Sequence, residues 1–227
     1  MKNGTSPIRE IFARIAGGYD AMNRIMSLAL DRRWRRIALD LARSRPRSVL
    51  DLACGTGDST LAIVRKFPHA RVAGVDLTPE MMEIAKVKTC NHRESVEFFT
   101  ADAADLGRFR DHEFQLIFCA FGFRNFPDKA KVLDECRRVL DSGGELVVLE
   151  LFRPGSRIPG RLVSAWIAVC SALFARGQSR EYAYLRRSMA ATLDAGEFVR
   201  LAESRGFALA GRKNLFPSVT ALRFKAV

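Results

Sequence analysis

Between Ser48 and Phe152, short runs rich in β-forming residues alternate with stretches of helical periodicity, and this alternation constrains the fold more than any other feature. Five strands are predicted from the segments SVLDLAC, RVAGVD, VEFFTAD, EFQLIFCAF and GELVVLELF, and three helices from residues 58–67, 79–91 and 128–140. Pro79 stands where a helix has its first residue, and the Asp-Ser-Gly-Gly run at 141–144 ends the last helix before its strand. Strands separated by helices form parallel sheets covered on both faces, so this region predicts a doubly wound α/β fold.

The segments on either side complete the sheet. In residues 1–46, Ile8, Ile11, Phe12 and Ile15 recur at helical spacing, which predicts N-terminal helices that form a lid or wall over the ligand crevice. Residues 153–206 are mostly helical in pattern, and residues 207–227 contain two strand-like pieces, FALAGRKN and VTALRFKA. We therefore predict one domain: a mostly parallel seven-stranded sheet around a core at residues 47–152, with an antiparallel edge hairpin and a helical insertion before the last strands.

Composition narrows the class of protein. Hydrophobic residues make up 48% of the 227 residues, no apolar run reaches the roughly 18 residues that cross a bilayer, and the polar first ten residues lack the apolar core of a signal peptide, so we expect a cytoplasmic protein. Five cysteines without a CxxC pair and three histidines without ligand spacing predict no disulfide and no metal site. The net charge of +12 favours an anionic partner, either nucleic acid or acidic lipid, or marks a basic protein without such a partner.

A glycine-containing turn follows the first strand and opens a helix, the position at which α/β sheets bind nucleotide-like ligands. Gly55, Thr56 and Gly57 form this turn, and its glycines let the backbone approach a ligand closely. Position 60 holds a threonine, so the third glycine of a dinucleotide fingerprint is missing. The acids Asp51 and Asp58 at the two ends of the turn repel a pyrophosphate but suit a ligand that bears an ammonium group.

Two further acids end the next two strands. Asp76 is placed to accept hydrogen bonds from both hydroxyls of a ribose, and Asp102 to accept one from the exocyclic amine of an adenine. Leu77 and Ala103 supply apolar contacts for the adenine ring. Each acid alone is more often a helix cap or a solvated loop residue, but acids at three successive strand ends describe a nucleoside with a positively charged amino-acid tail. The sequence therefore predicts binding of S-adenosylmethionine.

Three further segments carry a family resemblance over nearly the full length of the chain. The stretch from Tyr19 to Ser27, followed by Trp34, resembles an N-terminal signature in which Asp31 replaces the usual histidine. Phe121-Gly122-Phe123-Arg124-Asn125 after the fourth strand matches a Phe-Gly-x-Arg-Asn motif, and residues 138–150 resemble a second signature that the late residues Tyr182, Tyr184, Leu185 and Ser188 continue. The family that these segments resemble is the ubiquinone/menaquinone biosynthesis C-methyltransferases.

The resemblance implies methyl transfer to a ring carbon of a polyprenyl quinol, from demethylmenaquinol to menaquinol or in the ubiquinone-pathway equivalent. It also implies that position 120 contacts the cofactor, although this chain has Ala120 where the family usually has a hydroxyl residue. Arg124 and Asn125 then stand beside the acceptor. Because a guanidinium stays protonated in proteins, we expect Arg124 to stabilise a phenolate, while a water or Asp31 takes the proton.

Structural roles are the alternatives for these residues. Arg124 could form a surface salt bridge, and Asn125 could cap the following helix, with Asp128 as the competing cap. Tyr19 and Asn23 are four residues apart on one helical face, so both are expected to point into the crevice unless that face only packs on the sheet.

Basic residues beside apolar ones suggest contact with a membrane surface. Residues 162–175 form an apolar stretch flanked by arginines, which suits an interfacial helix or, alternatively, a buried core helix; a second basic cluster surrounds Trp34 and comprises Arg32, Arg33, Arg35 and Arg36. Base-methylating enzymes usually carry an Asn/Asp-Pro-Pro-Tyr/Phe element after the fourth strand, where this chain has AFGFRN, so nucleic acid is not the expected partner. Methylation of another small apolar acceptor, a non-catalytic cofactor-binding role and a homodimer stay open.

Overall fold

A seven-stranded sheet organises the computed structural model, which describes residues 7–153 and 192–227. Five parallel strands come first along the chain: β1 Ser48–Leu52, β2 Arg71–Asp76, β3 Val96–Thr100, β4 Phe114–Ala120 and β5 Leu140–Leu151. The last two, β6 Phe207–Phe216 and β7 Val219–Ala226, form an antiparallel hairpin in which β7 pairs with β5. The resulting order β3-β2-β1-β4-β5-β7-β6 confirms the predicted α/β fold with an antiparallel edge hairpin.

Helices precede and connect these strands. Before β1 come α1 Pro7–Ile15, a 3-10 turn at Ala16–Gly18, α2 Tyr19–Met26 and α3 Asp31–Leu39. The connecting helices are α4 Asp58–Lys66 after β1, α5 Pro79–Lys88 after β2, α6 Lys129–Val139 after β4 and α7 Ala195–Glu203 before β6. The strand order reverses between β1 and β4, and at such a point the connections leave in opposite directions and open a crevice at the carboxyl ends of the strands.

Alternate residues of the central strands pack into two cores, one on each face of the sheet. In β4, Leu116 and Phe118 face the core that includes α3 and α4, whereas Ile117 and Cys119 face the core that includes α6 and α7. Because the central strands are buried on both faces, their sequences form continuous apolar runs rather than an apolar and polar alternation.

Two element boundaries differ from the prediction. Residues 141–144 were expected to separate a helix from a strand, but they belong to β5, whose register against β4 shifts at this point. The extra residues bulge from the ladder, and Gly143 takes the left-handed φ of +73° that glycine adopts without strain. Pro79 begins α5 as predicted, but the helix ends at Lys88 and the chain tightens into a 3-10 turn at Cys90–His92.

Several predictions fall on residues that the structure does not describe. They are the apolar stretch at 162–175 and the family matches at Tyr182, Tyr184, Leu185 and Ser188. Within residues 7–153 and 192–227, no helix combines the length and the apolar character needed to cross a bilayer. The same ranges contain no group of three or more His, Cys, Asp or Glu side chains arranged to hold a metal ion.

Candidate active site

A cavity opens at the carboxyl ends of the parallel strands, between the sheet and the N-terminal helices. Eight of the predicted site residues line it: Gly55, Asp76, Leu77, Asp102, Ala103, Ala120, Asn125 and Tyr19. The other five lie outside its lining: Asp51, Thr56, Gly57, Asp31 and Arg124. The structure thus brings the predicted ribose and adenine contacts to one place and separates them from part of the predicted catalytic set.

Backbone groups of the turns after β1 and β2 orient Asp76. The backbone N–H of Gly55 donates to Asp76 Oδ2 at 2.9 Å, and that of Thr78 donates to Oδ1 at 2.9 Å. Burial raises the pKa of Asp76, and these backbone hydrogen bonds act in the opposite direction. Each carboxylate oxygen keeps a second lone pair, so Asp76 can accept hydrogen bonds from ligand hydroxyls in the cavity.

The two glycines of the turn after β1 have different roles. Gly55 has a φ of +53°, and a Cβ built on it meets no protein atom within 4 Å, so the space above this glycine is open to a ligand. Gly57 has a φ of +83°, and a Cβ there would lie 2.8 Å from the Cβ of Ala85. Gly57 therefore serves the close packing of α4 against α5, although the sequence predicted a cofactor contact at both glycines.

Asp51 lies beneath this turn rather than in the cavity. Its side chain is fully buried, Oδ2 accepts a hydrogen bond from the Thr60 hydroxyl at 2.6 Å, and Oδ1 has no hydrogen-bond partner among the described residues. Burial raises the pKa of Asp51 to about 7. The buried carboxyl group of Asp51 therefore supports the turn from the side away from the cavity, whereas the sequence predicted a contact with the cofactor.

Two non-glycine residues at the cavity have left-handed backbone conformations. Ala53 after β1 has a φ of +57° and Phe121 after β4 a φ of +62°, conformations that cost about 1–3 kcal/mol each and cluster at ligand sites. Gly122 lies so close to the first turn that a Cβ on it would be 2.8 Å from both the Ala53 Cβ and the Cys119 Sγ. The turns after β1 and β4 are therefore packed directly against each other at the cavity.

The N-terminal helices form one wall of the cavity. Ile8, Arg9 and Phe12 of α1 line it together with Tyr19, the first residue of α2. The rings of Phe12 and Tyr19 meet edge to face with centroids 5.9 Å apart. Asn23, which was expected to face the crevice beside Tyr19, is not part of the lining.

A cluster of ion pairs fastens this wall to the turn after β1. Lys88 Nζ at the end of α5 lies 2.5 Å from Asp20 Oδ2 of α2 and 2.7 Å from Asp58 Oδ1 of α4. Thr56 accepts a hydrogen bond from Lys88 at 3.1 Å and donates one to Asp20 Oδ1 at 2.6 Å. Burial alone would raise the pKa of Asp58, but the hydrogen bond and charge of Lys88 outweigh it and lower the pKa. Thr56, predicted as a cofactor contact, thus joins the wall to the turn.

Arg124 lies behind the cavity in a buried ion pair. Its Nη1 is 3.0 Å from Glu150 Oε1 and donates to the Phe121 carbonyl at 3.1 Å, while its backbone N–H donates to Glu150 Oε2 at 3.1 Å. Only 5% of the Arg124 side chain is exposed, so it does not sit on the surface, and it is not part of the cavity lining. Glu150, near the end of β5, accounts for this position of Arg124, because its carboxylate supplies a counter-charge on the side away from the cavity.

Asn125 was expected beside the acceptor together with Arg124, and it reaches the cavity where Arg124 does not. It lines the cavity, and its Nδ2 donates to the Phe121 carbonyl at 3.4 Å. The cap of α6 is Asp128, whose side chain accepts a hydrogen bond from the Lys131 backbone N–H at 2.9 Å. The alternative role of Asn125 as a helix cap is therefore wrong.

Asp31 pairs with Arg35 in the interior. The two side chains are buried and 2.8 Å apart, and the Ser27 hydroxyl donates to Asp31 at 3.3 Å. Arg35 also donates to the Ser59 hydroxyl at 3.0 Å, and its guanidinium carbon lies 5.2 Å from the centre of the Phe121 ring. Asp31 does not line the cavity, and Arg35 and Phe121 connect it to the lining.

Sequence reasoning missed several residues of this site. Ala53, Met81 and Phe126 line the cavity but carry no chemical signal in the sequence. Arg9 was equally unmarked, and Lys88 had no local pattern that linked it to Asp20. A second cavity, at the end of the β6–β7 hairpin, contains none of the predicted site residues, and Arg153, Arg212 and Ser218 are among its lining.

Comparison with known proteins adds sequence and structural relatives. The model of the ubiE/COQ5 methyltransferase family matches residues 1–226. A demethylmenaquinone methyltransferase of Thermotoga maritima is 40% identical over 203 residues, which cover 87% of this chain and 86% of that protein. The ubiquinone/menaquinone biosynthesis C-methyltransferase UbiE of Hahella chejuensis is 33% identical over 225 residues, covering 96% and 90% of the two chains.

Solved structures share the fold at low sequence identity. A SAM-dependent methyltransferase from Aquifex aeolicus superimposes with a TM-score of 0.68 at 16% identity, over 95% of this chain and 98% of that one. A geranyl diphosphate C-methyltransferase from Streptomyces coelicolor, solved with S-adenosyl-L-homocysteine, has a TM-score of 0.64 at 14% identity and covers 85% and 75% of the two chains. The architecture is therefore that of the S-adenosylmethionine-dependent methyltransferases.

Proposed function

Because the chain belongs to the ubiE/COQ5 methyltransferase family, we propose that it methylates a ring carbon of a polyprenyl quinol, either demethylmenaquinol or its ubiquinone-pathway equivalent. The names of the relatives from Thermotoga maritima and Hahella chejuensis support this substrate class. One observation carries the proposal: Asn125, from the family-specific segment after β4, lines the same cavity as the oriented carboxylate of Asp76. A nucleoside-type site and the family motif thus share one chamber.

The cavity residues fit S-adenosylmethionine, which supplies an electrophilic methyl group when bound. Asp76 would hold the ribose hydroxyls, since its two oxygens are fixed by backbone donors. Asp102 would accept from the adenine amine, with Leu77 and Ala103 against the ring. The open space above Gly55 leaves room for the amino-acid part of the cofactor. Ala120 at the end of β4 completes the lining without a hydroxyl group.

The acceptor side needs groups that favour a phenolate, because loss of the phenolic proton makes the neighbouring ring carbon nucleophilic. Asn125 and Tyr19 are polar residues of the cavity that can donate hydrogen bonds to such an oxygen. Arg124 and Asn125 both donate to the Phe121 carbonyl, so Arg124 supports Asn125, and Glu150 balances the charge of Arg124. We therefore assign Asn125 as the phenolate donor and Arg124 as a positioning residue.

The proton acceptor in this proposal is a water molecule. The alternative base, Asp31, is occupied by its ion pair with Arg35 and does not line the cavity. Because a quinol with a prenyl tail resides in the bilayer, we also propose peripheral contact with an anionic membrane surface. The reaction as proposed involves neither a metal ion nor nucleic acid, and it is compatible with a monomer or a homodimer.

The test is methylation of a short-chain demethylmenaquinol by the purified protein, with mass spectrometry of the product. Asn125→Ala should lower single-turnover methylation on the order of 100-fold, as loss of an oxyanion donor does, and leave cofactor affinity unchanged. Asp76→Asn should instead weaken cofactor binding in calorimetry. Asp105→Asn is the matched control, because Asp105 is an exposed acid outside the cavity.

Two results would overturn the proposal. One is a protein that methylates RNA or another small acceptor but no quinol. The other is an Asn125→Ala protein that turns over like the wild type, which would show that the catalytic centre lies elsewhere.

A further inference from the structure

We propose that the corner between α2 and α3 docks on the surface of an anionic lipid bilayer, an inference that rests on the proposed quinol substrate. The docking corner consists of the apolar residues Ile25 and Leu28 and the basic residues Arg32, Arg33 and Arg36. It lies outside the cavity and takes no part in the chemistry described above.

The apolar part of the docking corner is held out towards solvent by its backbone. Leu28 in the turn after α2 is 58% exposed and Ile25 near the end of α2 is 39% exposed, and among the described residues before β1 these are the exposed large hydrophobic side chains. Leu28 and Ala29 both have left-handed φ values, +52° and +58°, which non-glycine residues rarely adopt. The Ala29 N–H donates to the Arg24 carbonyl at 2.6 Å and fixes this turn. Two strained backbone conformations thus coincide with an exposed leucine side chain.

The basic part of the docking corner carries uncompensated charge. Arg32, Arg33 and Arg36 are exposed, and none of them forms a side-chain hydrogen bond or ion pair with another residue of the described chain. The neighbouring acids are already engaged, since Asp31 pairs with the buried Arg35 and Asp40 pairs with Lys66. Arg32 and Arg36 share one helical face, opposite the buried Trp34. Three free guanidinium groups complement the charge of anionic headgroups.

The docking corner combines two exposed apolar side chains with three exposed arginines. Exposed apolar side chains beside cations are the composition of surfaces that lie in the headgroup region of a membrane, where the apolar groups enter the acyl boundary and the cations stay at the phosphates. Nucleic acid would engage the arginines but gain nothing from Leu28 and Ile25.

The docking corner is also connected to the cavity. The helix that ends beside Leu28 begins with Tyr19, which lines the cavity, and a helix of eight residues is about 12 Å long. A protein docked by this corner would therefore hold the N-terminal wall of its cavity close to the lipid. A quinol could then move from the bilayer to the cavity over a short distance.

The experiment is flotation of the full-length protein with vesicles of phosphatidylcholine that contain about 30% phosphatidylglycerol, an anionic lipid. Vesicles of phosphatidylcholine alone are the comparison. Wild type should float with the anionic vesicles. The triple variant Arg32→Gln, Arg33→Gln, Arg36→Gln should lose on the order of 100-fold in partition coefficient. The double variant Ile25→Ser, Leu28→Ser should lose on the order of 10-fold or more.

Matched controls separate a docking surface from general charge or hydrophobicity. Arg71→Gln, Arg93→Gln, Arg110→Gln removes the same charge from exposed positions elsewhere, and Val87→Ser removes an apolar side chain that is 73% exposed on α5. Both control proteins should bind vesicles more strongly than the corresponding docking variants.

The inference is wrong if the two arginine triples lose binding equally, or if the Ile25 and Leu28 variant floats like the wild type. It is also wrong if single-stranded RNA binds the protein more tightly than the vesicles do and the arginine triple alone abolishes that binding. Methylation of a short-chain quinol without vesicles is measured in parallel. Normal methylation with failed docking rejects only the surface, whereas docking without methylation of any quinol rejects the proposed function.

Discussion

The carboxyl group of Asp51 titrates far from its ordinary range, because burial raises its pKa to about 7. In the unfolded chain the pKa returns to about 3.8, so the folded state binds the proton more tightly. This contribution to stability is full below about pH 4 and is lost as the pH rises through about 7, a difference on the order of 4 kcal/mol. We expect Asp51→Asn to remove this loss, since an amide oxygen can still accept the hydrogen bond from Thr60.

The measurement for Asp51 is the free energy of unfolding in urea at pH 5 and pH 8. Asp51→Asn should be more stable than the wild type at pH 8, and its stability should fall less between the two pH values. Asp105→Asn, at an exposed position, should follow the wild type. Parallel pH profiles for wild type and Asp51→Asn would show that Asp51 titrates normally.

Gly122 is a second single position on which the cavity depends. A methyl group there would lie 2.8 Å from the Ala53 Cβ and the Cys119 Sγ, so Gly122→Ala should destabilise the protein by about 1–3 kcal/mol. Because Ala53 belongs to the cavity lining, we expect cofactor affinity to fall as well. Gly17→Ala is the control, since a Cβ on Gly17 meets no atom within 4 Å. Thermal unfolding and calorimetry test both effects, and an unchanged Gly122→Ala protein would contradict the packing.

At the residue scale, acids at strand ends could be predicted from the sequence, whereas the partners of charged side chains could not. Asp76 and Asp102 were identified because strand ends meet at one edge of a parallel sheet, which local pattern is enough to establish. Arg124 was expected beside the acceptor, yet its side chain pairs with Glu150, which lies 26 residues away on β5, and it does not line the cavity. The local sequence does not show whether a long side chain such as that of Arg124 will point towards the cavity or away from it.

At the scale of elements, Lys88 is the centre of the ion pairs that attach α2 to α4 and α5. Lys88 contacts Asp20 and Asp58 and its side chain is 22% exposed, between the limits for surface and buried ion pairs. Lys88→Met leaves Asp20 with the Thr56 hydroxyl and Asp58 with the longer 3.7 Å contact to Arg24, so we expect about tenfold weaker cofactor binding as the wall that carries Tyr19 loosens. Lys86→Met is the matched control on the same helix, because among the residues that the structure describes Lys86 pairs only with the exposed Glu83.

Calorimetry of cofactor binding at low and high salt checks this prediction. The affinity of the wild type should fall with salt and that of Lys88→Met should change less, since screening weakens the same contacts. Equal affinities for the Lys88 and Lys86 variants would show that the cluster does not hold the wall.

Helices and strands were predictable where burial is periodic, but their ends were not. The central strands were identified from continuous apolar runs, and α5 from its N1 proline. The sequence Asp-Ser-Gly-Gly at 141–144 has the composition of a turn, yet pairing with β4 on one side draws it into β5 as a bulge. Whether these residues form a turn or part of a strand depends on the neighbouring strand, so local composition does not predict it.

At the scale of the whole molecule, Glu145 joins three distant parts of the chain. Its carboxylate accepts hydrogen bonds from the backbone N–H groups of Arg43 and Ser44 before β1, and from Arg223 of β7. Burial would raise the pKa of Glu145, but Arg223 and Ser44 outweigh it and lower the pKa. The carboxylate is therefore charged in the folded protein and holds the N-terminal segment, β5 and β7 together.

The place of β7 inside the sheet has a consequence for synthesis on the ribosome. β7 follows β6 in the chain, yet it lies between β5 and β6 and is buried along almost its whole length. While translation has not passed Val219, the apolar edge of β5 has no partner on that side, and a nascent chain exposes a surface on which other chains can pair. The strands that carry the cavity, β1 to β4, leave the ribosome well before the sheet can close. Synthesis thus exposes the β5 edge before its partner strand exists, and we expect newly made chains to be prone to aggregation until β7 has been translated.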